Sequence, residues 1–366
     1  MSSSYLQPIT LKNGLVNIKN RVALAPLTNG QSHEDGTLGE DELHWLKMRA
    51  EGGFGTIISC ASHVSKTGQG WPGQLGIFSD VHIDGLKTLA RNIHEHNAIL
   101  IMQLYHGGAR SPEYLTGQSP WSASKHLYKA GDKSIAVKEG SEYDIDQVID
   151  DFVNAAQRAI KAGCDGIELH AAHGYLLHQF LSTETNQRQD GWGGSLKNRA
   201  KILTTIINKI QAISQENFVI GVRISPEDKY TFKGIDFDDS LVLAELLEEQ
   251  SIDYLHISTW DAKKTPEKYP LSNKTVIQFF REKCKIPIMV AGEIWTIEDA
   301  ENALYEGADM VALGKAGIGI PNWPKLAENE HFQPNKPPYT ESHLQNAGLS
   351  HKFIDYMKKW AGFVVN

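Results

Sequence analysis

Eight short apolar runs alternate along this chain with segments whose apolar residues recur at helical spacing, and this alternation constrains the fold more than any other feature. Glycine stands shortly before several of the runs, as Gly163 and Gly307 do, which is typical of a helix C-terminus. Near-continuous apolar strands indicate a parallel sheet covered on both faces. The predicted strands are Val22–Ala25, Thr56–Ser59, Ile99–Leu104, Gly166–His170, Val219–Ile224, Tyr254–Ser258, Ile288–Ala291 and Met310–Leu313.

Eight strand–helix units predict the α/β class and a closed (β/α)8 barrel. An open doubly wound sheet is disfavoured, because no GxGxxG motif follows a strand. A chain of 366 residues could hold two domains, but barrels of this type often exceed roughly 250 residues. We therefore predict one barrel domain over residues 1–366.

Two stretches interrupt the alternation. Residues 107–143 follow the third strand and are too long for a simple strand–helix connection, and such loops usually form caps or are disordered. Beyond the Pro337-Pro338 break, a helical tail is predicted within 334–366, packed either on the barrel or on a second copy of the chain. Its apolar stripe comprises Leu349, Phe353, Ile354, Met357 and Trp360.

Composition excludes several functional classes. The formal charge is 36 − 44 = −8 without a basic cluster, which argues against nucleic acid as a partner. Neither a secretory signal nor an apolar run long enough for a membrane span is evident, so a cytoplasmic protein is expected. The three cysteines, Cys60, Cys164 and Cys284, are too few and too scattered for disulfides or an iron–sulfur cluster, and no metal site is predicted.

Reactive side chains are densest directly after the fourth predicted strand. His170, His173 and Tyr175 leave the carboxyl end of that strand within six residues. Each can donate a hydrogen bond, and the phenol can also give up a proton. One histidine alone would most often be a satisfied core imidazole, but the set of three predicts a catalytic site.

The segment 170–199 resembles the old yellow enzyme family of FMN-dependent ene-reductases. Besides the two histidines and the tyrosine, the resemblance rests on Asn186, Arg188, Asp190, Gly193, Gly194, Ser195, Asn198 and Arg199. It extends over nearly the whole barrel, from about Leu6 to Leu326. It implies that residues 107–143 form a cap over the barrel and that FMN binds without covalent attachment.

Side chains at the strand ends are suited to the flavin ring. A glutamine amide matches an acceptor beside a donor on the ring, and a guanidinium stabilises negative charge on the pyrimidine edge. By resemblance, Gln103 contacts N3 and O2, Arg223 contacts N1 and O2, and Thr28 bonds O4. Pro26 and Ala61 are expected along the ring.

A second group of residues follows the seventh and eighth strands, where barrels often bind phosphate. The resemblance assigns Gly292, Glu293, Gly314 and Lys315 to the FMN phosphate. The glycines allow close backbone approach and Lys315 supplies positive charge. A carboxylate would repel phosphate, so the backbone N–H of Glu293 is expected to bind while its side chain turns away.

The resemblance implies a ping-pong reaction. NADH or NADPH reduces FMN and leaves, and an electron-poor alkene or a quinone then takes its place. His170 and His173 would donate hydrogen bonds to the substrate oxygen, and Tyr175 would protonate the α-carbon as general acid. The expected partners are therefore small molecules, with a homo-oligomer left open.

Other barrel proteins are weaker alternatives. A flavin-free lyase or isomerase would use the phosphate site for a sugar phosphate. Such an enzyme commonly needs a lysine or glutamate at a strand end for its chemistry, and Lys315 is expected at the phosphate instead. A related flavoprotein dehydrogenase would be longer and would carry a cysteine-ligated cluster. A flavin-dependent tRNA reductase would need a basic surface and a loop cysteine as general acid, and neither is evident in the sequence. A non-catalytic flavin-binding module is a further alternative.

Overall fold

Eight parallel strands close into a barrel in the computed structural model, which describes residues 4–228 and 234–365. Each strand pairs with the next, and the eighth pairs with the first through Val311–Leu313 and Val22–Leu24. The strands are β1 (Val22–Leu24), β2 (Thr56–Ile58), β3 (Ile99–Tyr105), β4 (Gly166–Ala171), β5 (Val219–Ile224), β6 (Tyr254–Ser258), β7 (Ile288–Ala291) and β8 (Met310–Leu313). The predicted barrel is thereby confirmed.

A helix follows each strand before the next begins or the barrel closes. These helices are α1 (Glu40–Glu51), α2 (Ile83–His94), α3 (Glu142–Lys161), α4 (Lys201–Ile213), α5 (Phe237–Glu249), α6 (Val276–Lys283), α7 (Ile297–Tyr305) and α8 (Lys315–Gly319). α3 illustrates why they form. Ser141 and Asp144 make a reciprocal capping box at its start, and Val148, Phe152 and Ala156 bury one face.

Two apolar layers explain the near-continuous hydrophobic strands. Alternate residues such as Ala23, Ile58 and Ile101 pack inside the barrel, whereas Leu24 and Ile57 join the larger cluster beneath the helices. Successive strand residues point to opposite faces, so burying both faces requires an apolar residue at nearly every position. An N-terminal hairpin, Ile9–Leu11 with Val16–Ile18, packs onto the inner layer and completes it.

Polar residues replace apolar ones at the inner positions toward the carboxyl ends of the strands. In β4 the inner positions near the carboxyl end are Glu168 and His170, and in β6 they are His256 and Ser258. Glu168, His170 and His256 are buried, and Ser258 is partly exposed. The barrel is therefore apolar at one end and carries a buried polar layer at the other.

Strand boundaries differ from the prediction by one residue in four cases. β1 and β2 end one residue earlier than expected, at Leu24 and Ile58, whereas β3 and β4 end one residue later. β3 is extended because the short strand Ser62–His63 pairs with Leu104 and Tyr105. The other four predicted strands match.

Residues 107–143 contain regular structure of their own. They comprise a 3-10 turn at Gly108–Arg110, a helical turn at Glu113–Thr116 and a three-stranded sheet built from Trp121–Ser122, His126–Ala130 and Lys133–Glu139. The division of the chain into a single barrel domain, a cap and a tail stays a prediction. Residues 1–3, 229–233 and 366, which the predicted domain includes, lie outside the described residues.

The C-terminal tail contains helices at Glu341–Asn346 and His351–Lys358. The second packs on the barrel of its own chain, because the Phe353 ring meets Trp45 of α1 edge-on at 5.4 Å between centroids. Within the described ranges, no helix has the length and apolar character needed to traverse a bilayer.

A buried histidine should make the stability of this fold depend on pH. Burial lowers the pKa of His63 to about 4, whereas an unfolded histidine titrates near 6.5. The unfolded chain therefore binds an additional proton as the pH falls from about 6.5 to 4, and stability is lost across this window. Between pH 7 and 5 the loss is about 2 kcal/mol.

This effect can be measured by urea unfolding at pH 7 and pH 5. His63→Gln should have a smaller loss of stability on acidification than the wild type. The exposed His44 in α1 provides a matched control, and His44→Gln should keep the wild-type pH dependence. Equal losses in wild type and His63→Gln would contradict the assignment.

Candidate active site

A cavity of about 360 Å³ opens at the polar end of the barrel. The structure brings together there all of the residues that the sequence predicted for cofactor and substrate. They are Pro26, Thr28, Ala61, Gln103, His170, His173, Tyr175, Arg223, Gly292, Glu293, Gly314 and Lys315. Residues far apart in sequence thus meet because the carboxyl ends of parallel strands lie at the same end of a barrel.

A tight turn after β4 directs the predicted catalytic trio into one place. His173 and Gly174 both adopt left-handed backbone conformations, with φ of 58° and 72°, and the Tyr175 N–H closes the turn on the Ala172 carbonyl. Left-handed φ is costly for a residue with a side chain, so the surrounding contacts hold His173 there. The ring centroid of His170 lies 5.1 Å from that of His173 and 4.9 Å from that of Tyr175.

Both histidines are neutral near pH 7. Burial is the main cause that lowers the pKa of His170 and of His173, and the nearby Arg223 cation adds to it. The Ala172 N–H donates to His170 Nδ1 at 3.4 Å, which places the ring proton on Nε2. His170 can therefore act as a neutral hydrogen-bond donor.

Ser258 connects the predicted cofactor side of the cavity to the substrate side. Its hydroxyl oxygen accepts a hydrogen bond from Arg223 Nη2 at 3.0 Å. The same oxygen lies 2.8 Å from His173 Nε2, and Ser225 Oγ accepts from the His173 backbone N–H at 3.1 Å. Arg223 and His173 are thus held through one shared serine, a link that the sequence did not indicate.

The residues around the cavity fit a flavin ring. Ala25, Ala61, Ala291 and Ala312 line it with side chains no larger than a methyl group, which leaves room for a flat ring system. Gln103 and Arg223, both largely buried, supply an amide and a cation. This donor set suits an edge that presents an acceptor beside a donor and that gains negative charge on reduction. The roles of the individual residues stay predictions.

The predicted phosphate residues include an ion pair. Lys315 Nζ lies 2.7 Å from Glu293 Oε1, and Trp295 Nε1 donates to Glu293 Oε2 at 2.9 Å. Gly292 has φ of 155°, and an added Cβ would lie 2.8 Å from the Thr259 carbonyl oxygen. The backbone there thus requires glycine, and the Glu293 carboxylate offsets the cation expected at the phosphate.

Removing this carboxylate should tighten binding of FMN. In Glu293→Gln the Lys315 charge is no longer offset, and we expect the FMN dissociation constant to fall about two- to fivefold at low salt, the range for half-exposed ion pairs. The gain should shrink as salt rises. Titration of apoprotein with FMN measures it.

A control for net charge is provided by Asp150, which pairs with Lys209 at 2.8 Å on the outer helices α3 and α4. Asp150→Asn makes the same change in charge and should leave FMN affinity unchanged. Weaker FMN binding in Glu293→Gln would mean that its side chain supports the site.

Other cavity residues were not predicted as site residues. Arg110 Nη1 donates to the His173 carbonyl at 2.6 Å, and its guanidinium lies 4.4 Å from the centre of the Tyr175 ring. An aromatic and apolar part of the wall is formed by Trp71, Trp260, Trp295, Tyr356, Met357, Trp360 and Phe363. Of these wall residues, the sequence singled out only Met357 and Trp360, as part of the apolar stripe of the tail. The stripe predicted a packed helix but did not indicate that the helix covers the cavity.

Three residues of the family motif have a supporting position. Arg188 Nη1 donates to the carbonyls of Ala123 and Gly140 at 2.9 and 2.7 Å. Asn186 Nδ2 donates to two further carbonyls, and Asp190 accepts from Arg188. The contacts of Arg188 fasten residues 107–143 to the segment that follows Tyr175, and those of Asn186 and Asp190 hold that segment itself in place. Neither Asn186 nor Arg188 lines the cavity.

The barrel and its strand-end donors define a flavin-dependent oxidoreductase. Residues 4–333 match the model of the NADH:flavin oxidoreductase / NADH oxidase family, and the chain belongs to this family. It is 35% identical over 323 residues to the probable NADH-dependent flavin oxidoreductase YqiG of Bacillus subtilis, covering 87% of this chain and 86% of that protein. It is 34% identical to the NADPH dehydrogenase of Geobacillus sp. strain WCH70, covering 90% and 95%.

A solved structure supports the same assignment. The old yellow enzyme homologue from Zymomonas mobilis superimposes with a TM-score of 0.83 at 27% identity, covering 96% of this chain and 99% of that one. The chain spans only 32% to 49% of three longer relatives. The predicted old yellow enzyme family, FMN as cofactor and NAD(P)H-dependent oxidoreductase class are confirmed.

Proposed function

We propose that this protein uses NADH or NADPH to reduce activated carbon–carbon double bonds, as in enones, nitroalkenes and maleimides, or quinones. The observation that carries the proposal is the meeting of His170, His173 and Tyr175 with Gln103 and Arg223 in one cavity. Two neutral imidazoles and a phenol beside an amide and a guanidinium can polarise an oxygen and deliver a proton.

The chain's own residues bind and polarise the substrate. Bound FMN supplies the two-electron chemistry between the nicotinamide and the second substrate. His170 presents its Nε2–H to a carbonyl or nitro oxygen, and His173 completes the pair. As that oxygen becomes electron-rich in the transition state, fixed donors stabilise it without having to reorganise. Withdrawal of electrons by these donors makes the double bond more electrophilic.

Tyr175 is the proton donor in this proposal. Its ring packs edge-on against Tyr105 at 4.5 Å between centroids and lies beneath the Arg110 guanidinium. These contacts fix the phenol beside the two histidines. Tyr175 O–H then protonates the substrate carbon next to the activating group, and solvent restores the proton.

Purified protein tests the proposal directly. We expect it to be yellow, to release free FMN on acid denaturation, and to lose its flavin absorbance on anaerobic addition of NADH or NADPH. Addition of 2-cyclohexenone or a quinone should then restore the absorbance. Release of FAD would contradict the cofactor, and normal bleaching without recovery by either acceptor would contradict the substrate class.

A further inference from the structure

A buried carboxylate lies beside the cavity without lining it. Glu168 of β4 is fully buried. Its Oε1 accepts a hydrogen bond from Gln103 Nε2 at 2.7 Å, and its Oε2 accepts from Tyr254 Oη at 2.9 Å and lies 2.8 Å from His256 Nδ1. Three side chains, one from β3 and two from β6, thus converge on one carboxylate of β4, and none of the proposed chemistry uses it.

This carboxylate is ionised. Burial alone would raise the pKa of Glu168, but the hydrogen bonds from His256 and Gln103 and the Arg223 cation hold it below its usual value. His256 itself is neutral, because burial lowers its pKa. Its buried Nε2 also has no hydrogen-bond partner among the described residues, so its one ring proton is on Nδ1. Arg223 is therefore the cation that balances Glu168.

An ionised carboxylate can accept hydrogen bonds but cannot donate them. Only the NH2 group of Gln103 can face Glu168 Oε1, because the opposite orientation would bring two oxygens together. Within residues 4–228 and 234–365, the side-chain amide of Gln103 forms no hydrogen bond other than this one to Glu168. The second N–H and the oxygen of this side-chain amide therefore remain available to a ligand in the cavity that Gln103 lines. Their relative positions are fixed, because the first N–H is held by Glu168.

We propose that Glu168 is a positioning residue that fixes the orientation of the Gln103 amide and so selects the order of donor and acceptor shown to the flavin. The proposal rests on the predicted role of Gln103 in binding the ring. Glu168 also supplies the negative charge that balances Arg223, so its loss should leave the cavity more positive.

Glycine at position 221 supports this arrangement. A Cβ on Gly221 of β5 would lie 2.1 Å from the Tyr254 ring, so only glycine leaves room for the phenol that reaches Glu168. Tyr254 bonds the carboxylate oxygen that does not face Gln103. Tyr254→Phe therefore removes one bond of the same network without affecting the orientation of the amide.

The decisive experiment is a double-mutant cycle between Glu168 and Gln103. Glu168→Gln leaves one accepting oxygen for two positions. That oxygen is best held at the Oε2 position, where Tyr254 and His256 both lie, so the new NH2 group faces Gln103. The Gln103 side-chain amide must then turn over or lose its partner. We expect the FMN dissociation constant of the apoprotein to rise at least about tenfold, the cost of replacing one favourable hydrogen bond by a mismatch. Tyr254→Phe should change it less than about threefold.

In a Gln103→Met background, Glu168→Gln should have little further effect on FMN affinity, because there is no amide left to orient. The midpoint potential of the bound flavin gives a second measurement, and Glu168→Gln should make it more positive because Arg223 is no longer balanced. A merely structural carboxylate would weaken binding equally in both backgrounds.

The outcomes separate this inference from the proposed function. Absence of FMN binding in the wild type would overturn both. If the wild type binds FMN, an equal loss of affinity in Glu168→Gln and Tyr254→Phe would overturn the inference alone. An equal loss caused by Glu168→Gln with and without Gln103 would do the same. If Glu168→Gln does not unfold cooperatively, Glu168→Asp takes its place in the cycle. Aspartate keeps the negative charge, but its shorter side chain moves the accepting oxygen away from Gln103. This substitution should therefore weaken FMN binding when residue 103 is glutamine and should have little effect in the Gln103→Met background.

Discussion

Tyr175→Phe is expected to slow enone reduction by about 10²–10⁴-fold, the range for loss of a general acid. The NAD(P)H half-reaction should stay nearly unchanged, because it needs no proton from the phenol. Phenylalanine keeps the ring that packs against Tyr105 and beneath Arg110, so the variant should keep its fold. Stopped-flow absorbance of the flavin in each half-reaction measures the two rates separately.

Quinones and oxygen provide an internal control, since neither requires protonation at carbon by the protein. Both should restore the flavin absorbance of Tyr175→Phe at nearly the wild-type rate. His170→Ala combined with His173→Ala should instead raise the enone dissociation constant as well as slow its reduction. Equal slowing of both half-reactions in Tyr175→Phe would make the tyrosine a binding residue rather than the proton donor.

Arg223→Ala is expected to weaken FMN binding or to slow the NAD(P)H half-reaction about a hundredfold. Negative charge that develops on the pyrimidine edge would lose its partner, and one preorganised donor contributes on the order of 3 kcal/mol. The variant also removes the donor to Ser258 and the cation that balances Glu168. FMN titration and anaerobic stopped-flow with NADH measure the two effects.

Arg223→Lys keeps the charge without the planar fork, and it should fall between Arg223→Ala and wild type in both measurements. The fluorescence of released flavin after denaturation gives the cofactor content of each preparation. Normal flavin content together with normal reduction kinetics in Arg223→Ala would exclude this residue from the site.

The barrel could be predicted because hydrophobic periodicity reports burial on each face of a strand. β5, β6, β7 and β8 match their predicted bounds, whereas the end of β3 depends on pairing with Ser62–His63, a contact that no local pattern of β3 reveals. The candidate site was predictable where side chains follow strands directly, as Gln103, His170 and Arg223 do, since barrel topology brings such ends together.

Residues whose position depends on tertiary contacts could not be predicted in the same way. Arg110 reaches the cavity through the path of residues 107–143, and Ser258 is an ordinary strand residue until Arg223 and His173 meet on it. Glu168 and His256 had a detectable signal, because each lies two residues before a cavity residue in its strand and therefore points to the same side. A charged residue at such an inner position requires partners.

The C-terminal tail returns to the cavity, so substitutions in the tail and substitutions in the barrel strands affect different properties of the site. All eight barrel strands end by Leu313, yet Tyr356, Met357, Trp360 and Phe363 form part of the cavity wall. Substitutions in this short segment can reshape the space open to a substrate without touching the strands or the histidine pair. The shape of the substrate space and the chemistry can therefore diverge independently among related chains, because they are encoded in different parts of the gene.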